Sequence, residues 1–235
     1  MKYTCYAPFF LLLISTAVAQ NREVIRVPAG NDIAAAVSEH GLYRLPVFTR
    51  GTVYFKDGNL GKELMNYNIL SAQMLYIDKK GDTLAIAIPD EIKKLDINGA
   101  IFYYNNKTWL EEIAATPAIS LVTARYVNVH YERKGAFGSP NPAGSISSYN
   151  TYFAGVGTGN SSYRLVVNED AVVKKETGYF LLSKYNQQFP ASRKGFLASF
   201  PHNRKKIESY LDNNKVNFNS VGDLIQLLGI AVSTN

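Results

Sequence analysis

Gly51-Thr52-Val53-Tyr54-Phe55-Lys56-Asp57-Gly58 decides the fold class of this chain. Val53 and Phe55 fall on one side of an extended segment and Thr52 and Tyr54 on the other, the two-residue period of a strand with one buried face. Asp57-Gly58 then supplies a hairpin turn, because glycine adopts positive φ without steric penalty. The same pattern recurs downstream. Met74-Leu75-Tyr76-Ile77 runs into the turn Asp78-Lys79-Lys80-Gly81, and Leu84, Ile86 and Ile88 alternate with small residues up to Pro89. Leu95 and Ile97 precede Asn98-Gly99, and residues 101–104 precede Asn105-Asn106 and then Trp109-Leu110. Short strands separated by tight turns predict an antiparallel meander, barrel- or sandwich-like.

Upstream, residues 24–28 read as a short strand closed by Pro28. Asn31 or Asp32 is placed to cap a short helix over 33–40, stopped by Gly41 in the left-handed region. Downstream, 121–131 is a longer strand, with Val127, Val129 and Tyr131 on one side and Tyr126, Asn128 and His130 on the other. Residues 136–162 carry no charge; they are rich in Gly, Ser and Asn yet hold Phe137, Tyr149, Tyr152 and Phe153. That stretch is too polar for a core and too long for a routine connection, so it reads as a flexible loop. Strands are predicted again at 163–168, 171–174 and 179–182. The end is helical: Pro201 suits a first helical position, and Ile207, Tyr210 and Leu211 give an i, i+3, i+4 stripe. Ser220 with Asp223 resembles a capping pair ahead of the apolar face Leu224, Leu227, Leu228 and Ala231. The expected fold is α+β, predominantly antiparallel β, with a short N-terminal helix and a C-terminal pair of helices. Its organisation is a leader at 1–19, a β-rich domain at 20–198, and a helical segment at 199–235 packed on it.

The leader follows from Lys2, the apolar run Ala7-Pro8-Phe9-Phe10-Leu11-Leu12-Leu13-Ile14, and Ala17-Val18-Ala19. A positive start, a short greasy centre and small residues at −3 and −1 of a cut form a signal peptide. The run falls well short of the roughly 20 residues that span a bilayer, so no transmembrane span is expected after cleavage. Cleavage after Ala19 would start the mature chain at Gln20 and remove Cys5, the one cysteine. A cysteine-free mature chain excludes disulfides, thiol nucleophiles and thiolate metal sites. It must hold together by ordinary burial, for which 46% hydrophobic and 12% aromatic residues suffice.

The formal charge of +6 is concentrated: 174–215 holds nine Lys or Arg against Glu176, Glu208 and Asp212. A basic face suits solubility, anionic headgroups or an acidic partner, and export argues against nucleic acid. Arg204, Lys205 and Lys206 are the basic-surface candidates. Catalytic signals are weak. His40, His130 and His202 show no metal-binding spacing, and no G-x-S-x-G elbow nominates a serine. A carboxylate mechanism needs two acids on one side of a cleft. The doublets Asp90-Glu91, Glu111-Glu112 and Glu169-Asp170 are poor pairs, since neighbours on a strand face opposite ways. Gly155-Val156-Gly157-Thr158-Gly159 lacks the Lys-Ser/Thr of a phosphate loop. Asp78 and Asp82 flank a turn that could touch calcium but reads as a turn. Asp82-Thr83-Leu84 is similar to the Asp-Ser/Thr-aliphatic acceptor of bacterial O-glycosylation. Asn106-Lys107-Thr108 and Asn160-Ser161-Ser162 match the N-glycosylation pattern. Neither a cofactor nor a metal is implied. The case for binding rests on abundant tyrosine, 16 in all, whose aromatic face and hydroxyl suit sugars and protein surfaces. Phe137, Tyr149, Tyr152 and Phe153 are the ligand-contact candidates, because loops on a rigid scaffold tend to carry recognition.

Leu42-Tyr43-Arg44-Leu45-Pro46, the run 51–58, Leu64-Met65-Asn66-Tyr67-Asn68 and Gly81-Asp82-Thr83-Leu84-Ala85-Ile86-Ala87 resemble a group of exported Gram-negative bacterial proteins with no assigned function. The likeness continues through Val167-Asn168-Glu169-Asp170 and Phe200-Pro201-His202-Asn203-Arg204-Lys205-Lys206. It implies export to the periplasm or beyond and a single-unit architecture, and carries no catalytic residue with it. The expectation is a non-enzymatic envelope protein that binds another envelope protein or a glycan. The alternatives are a carboxylate hydrolase of glycan or ester, and a periplasmic assembly factor using the basic C-terminal face.

Overall fold

The computed structural model describes residues 24–132, 147–148 and 169–233. Its chain order is β1 (Val24–Val27), α1 (Ile33–Glu39), β2 (Thr49–Phe55), β3 (Leu60–Asn68), β4 (Gln73–Ile77), β5 (Thr83–Ala85), β6 (Ile92–Ile97), β7 (Ala100–Asn105), β8 (Thr108–Ala115) and β9 (Ile119–Glu132). It continues with β10 (Ser147–Ser148), β11 (Asp170–Ser183), β12 (Gln188–Pro190), α2 (Arg193–Ser199), α3 (Arg204–Asn213) and α4 (Val221–Val232). All strands join one antiparallel sheet ordered β1-β11-β9-β8-β7-β6-β2-β3-β4-β5, with β10 beside β9 and β12 beside β11. The α+β class with predominantly antiparallel β, an N-terminal helix and C-terminal helices is what the chain adopts.

The turns follow from residue chemistry. Asn98 and Gly99 both take positive φ, 53° and 87°, the geometry that joins two twisted strands by a two-residue turn. Asn106 and Lys107 do the same between β7 and β8, at 47° and 61°. Asp32 caps α1 by accepting from the backbone N–H of Ala34 and Ala35, and Gly41 follows at φ +85°. Ser220 caps α4 by accepting from the Asp223 N–H.

Two differences from the sequence reading have physical causes. Separate strands are expected at 171–174 and 179–182, yet β11 runs unbroken and pairs along its whole length with β9. Gly178 sits across from Ala124, and its missing side chain leaves room for the Phe180 ring; a Cβ there would lie 3.0 Å from Phe180 Cε2. Helix α2 is an addition. It is one short stretch capped by Ser192, and its Gly195 permits an approach to the Pro190 carbonyl that any Cβ would block at 1.8 Å. The predicted strand at 163–168 lies outside the described residues.

The sheet is rolled. Lying flat, β3 and β9 would stand five strand spacings apart, roughly 24 Å at about 4.8 Å each. Instead the Tyr67 hydroxyl donates to the Arg125 carbonyl at 2.8 Å. Inside the roll lie Val53, Met65, Tyr67, Met74, Leu95, Ile97, Phe102 and Trp109. Burying each large apolar side chain contributes about 1.5–3 kcal/mol. On the same face, α1 and Leu70 cover one end of the β9–β11 pair together with the neighbouring edge strand β1, through Ile25, Val27, Ile33 and Val37. The other end is covered by α2, α3 and α4 through Phe196, Ile207, Leu224 and Leu227. No helix among the described residues is long and apolar enough to cross a membrane.

Candidate functional site

The residues singled out from the sequence do not form one site. Phe137, Tyr149, Tyr152 and Phe153, with the glycines at 155–159 and Asn160, lie outside the described residues. Arg204, Lys205 and Lys206 form the first turn of α3. Arg204 pairs with Glu208 one turn on, Nε to Oε1 at 3.0 Å. Lys206 donates to the Ser233 carbonyl at 3.1 Å and so ties α3 to the end of α4. Lys205 is exposed. Exposed pairs of this kind contribute little, so the basic triple is partly an inter-helix fastening.

The histidines are dispersed: His40 is the C-cap of α1, His130 lies on β9, and His202 lies in the 3-10 turn Pro201–Asn203. Among the described residues no group of three or more His, Cys, Asp or Glu could hold a metal ion. Asp78 spends its carboxylate on its own turn, accepting from the N–H of Lys80 and Asp82 at 2.8 and 2.9 Å. Thr83 is exposed at the start of β5, and Asn106 is exposed at the β7–β8 turn. Of the acid doublets, Asp90-Glu91 belongs to a 3-10 turn and Asp170 accepts from the Ala29 N–H at 2.9 Å.

Glu111-Glu112 is the informative doublet. As period two requires, the two carboxylates diverge. Glu112 accepts from the Tyr103 hydroxyl at 2.8 Å and the Ser120 hydroxyl at 2.9 Å. Burial, reinforced by Glu112, pushes the Tyr103 phenol up to about 12. Glu111 shares the face of Phe102 and Thr123, its cross-strand partners on β7 and β9, and points to the seam where the roll closes.

That seam is built from four separate segments. Residues 42–45 run beside the end of β3, where β2 has stopped. Arg44 N–H donates to the Tyr67 carbonyl at 2.9 Å, and Leu45 N–H to Asn66 Oδ1 at 3.0 Å. Asn66 returns a bond to the Leu45 carbonyl at 2.9 Å, which fixes Arg44 against the sheet. Its guanidinium then grips Glu111 with two bonds, Nε to Oε2 at 2.8 Å and Nη2 to Oε1 at 2.7 Å. Arg125, two residues from Thr123 along β9, donates to the same Glu111 Oε2. Tyr67 closes the ring through the Arg125 carbonyl, and burial pushes its phenol well above the usual range despite the opposing charge of Arg125. The hydrogen bonds it donates to Glu111, and the attraction of that carboxylate, hold the Arg44 guanidinium charged against partial burial. Lys175, on the same face of β11, donates to the His40 carbonyl at the end of α1.

Charge and burial at the seam do not balance. Two guanidiniums face one carboxylate, which leaves one positive charge over. The Glu111 side chain is 10% exposed, whereas Arg44 and Arg125 are 33% and 28% exposed. A guanidinium carries five N–H donors, so both forks keep donors beyond those given to Glu111. Directly across the ladder from Glu111, Thr123 is 1% exposed and its hydroxyl oxygen has no partner. A water-accessible pair of cations over a buried polar floor is equipped to hold an anion and to orient it through paired N–H donors. Sequence reasoning named none of these residues as a site, although Arg44 stands in a quoted motif and the parity of β8 and β9 puts Glu111 and Arg125 on one face. No protein-family model, curated protein or solved structure matches this chain.

Proposed function

We propose that this chain is an exported protein that works by binding rather than by catalysis, with the Arg44–Glu111–Arg125 seam as its contact site. Export rests on the leader at 1–19 and the resemblance to exported Gram-negative proteins; the compartment is the periplasm or the outside of the cell. Binding rests on one observation: two guanidiniums, each about a third exposed or less, share a single buried carboxylate and keep a surplus charge. The acid doublets favour this reading over a hydrolase. Glu111 is committed to two arginines and Glu112 to two hydroxyls on the opposite face. The assembly-factor reading has weaker support, since two of its three cations are engaged within the helical segment itself.

The test joins localisation to capture. Mass spectrometry of the native protein should find its N-terminus at Gln20 in an exported fraction. Affinity capture from the envelope should retain a protein or glycan whose recovery falls when Arg44→Lys is used as bait. A leader still attached in a cytosolic pool, or retention indifferent to that substitution, refutes the proposal.

A further inference from the structure

We infer that the seam recognises an oxyanion, a carboxylate or phosphate group carried by its ligand, held by the outer N–H groups of Arg44 and Arg125. This rests on the seam being the binding site. The argument starts from charge. Removing two cations and one anion from bulk water leaves a surplus that is costly wherever solvent cannot reach it. Arg44 and Arg125 stay about a third or less exposed, so the surplus charge is only partly hydrated. An oxyanion entering there would complete a two-on-two arrangement of charges and gain charge-assisted hydrogen bonds, which are about twice as strong as neutral ones.

Geometry supports the same conclusion. Glu111 orients both forks, since Arg44 is held through two atoms and Arg125 shares the Oε2 that accepts from Arg44 Nε. Neither cation can swing away without breaking that contact, and a preorganised fork loses less freedom on binding. Arg44 is also fixed through its backbone to Tyr67 and through its neighbour Leu45 to Asn66. Thr123, the cross-strand partner of Glu111, is buried with its hydroxyl unpartnered. Lys175, on the same face of β11, donates to the His40 carbonyl at the end of α1 and adds to the positive charge of this face.

The test is thermal unfolding of the full chain titrated with inorganic phosphate and, separately, with acetate. Each titration is compared with sodium chloride at equal ionic strength and with the Arg44→Lys protein in parallel. Phosphate also stabilises by exclusion from protein surfaces, so only the part of the response lost with the fork reports binding at the seam. At least one oxyanion should stabilise the protein beyond chloride; phosphate alone identifies a phosphoryl ligand, acetate alone a carboxylate, and both a general oxyanion site. Arg44→Lys keeps the charge and loses the fork, so the apparent affinity should fall about tenfold. Lys205→Gln, on α3, should leave it unchanged. Glu111→Gln, where it folds, keeps one acceptor to hold a fork but removes the competing negative charge, so binding should tighten several-fold. An oxyanion response equal to that of chloride, or one that Arg44→Lys leaves intact, overturns the inference. If capture from the envelope succeeds while these titrations fail, binding stands and the oxyanion chemistry falls.

Discussion

Replacing Glu111 by glutamine probes the closure of the roll directly. The side chain keeps its size but loses its charge, and one acceptor becomes an amide donor facing a guanidinium. Three charge-assisted bonds are affected, two from Arg44 and one from Arg125. Each such bond is worth about 1.5–3 kcal/mol, and removing one partner of a buried pair leaves the others uncompensated. Partial exposure of both arginines lets water recover much of that, so the expected loss is about 2–4 kcal/mol. At about 2–4 °C per kcal/mol for a protein of this size, Tm should fall by roughly 5–15 °C. Urea unfolding is the assay, followed by the fluorescence of Trp109, the single tryptophan, which is 4% exposed inside the roll. Glu112→Gln is the internal control: it faces away and accepts from two neutral hydroxyls, so it should cost about 1 kcal/mol. A Glu111→Gln protein within about 0.5 kcal/mol of wild type, or one no worse than Glu112→Gln, would refute the reasoning that this carboxylate latches the sheet.

Stability should fall in alkali through Tyr103. Its phenol is raised from 10 to about 12 in the folded protein by burial and then by Glu112. The folded state therefore holds a proton that the unfolded state gives up, and this contribution is complete below pH 10 and lost as pH climbs toward 12. Tyr103→Phe should flatten that part of the urea-midpoint profile. Gly195→Ala should destabilise by about 2–3 kcal/mol in the same assay, because its Cβ would overlap the Pro190 carbonyl at 1.8 Å and backbone must shift. Lys107→Gly should stabilise by about 0.5–1 kcal/mol, since Lys107 holds φ +61° in a two-residue turn that favours glycine. A fall in the urea midpoint for Lys107→Gly would contradict it.

Much of the fold was legible because it is local. Alternation around Val53, the Asn98-Gly99 turn, the caps Asp32 and Ser220, and the divergence of Glu111 from Glu112 all follow from neighbours in the chain. What stayed hidden depends on distance. Arg44 and Glu111 are 67 residues apart, and Tyr67 and Arg125 are 58 apart. Their meeting depends on how far the sheet rolls, which no local period encodes. Helix α2 escaped because seven residues containing a glycine give no full apolar stripe. The continuity of β11 escaped because a glycine that normally breaks a strand is here covered by the Phe180 ring next along it.

The seam is asked to be both a latch and a site, and the two roles make opposite demands on one residue. As a latch, Glu111 offsets one of the two charges of Arg44 and Arg125. It ties the segment at 42–45 to β8 and β9, beside the Tyr67–Arg125 bond that holds β3 against β9. As part of an oxyanion site, it competes with the ligand for the same N–H donors, setting affinity below what two bare guanidiniums would give. Removing its charge must therefore weaken the fold and strengthen anion binding together. A purely structural triad predicts only the first effect, and a solvent-exposed basic patch predicts only the second. Ligand binding should consequently restore most stability where the carboxylate has been neutralised, because the anion then supplies the charge that Glu111 gave up.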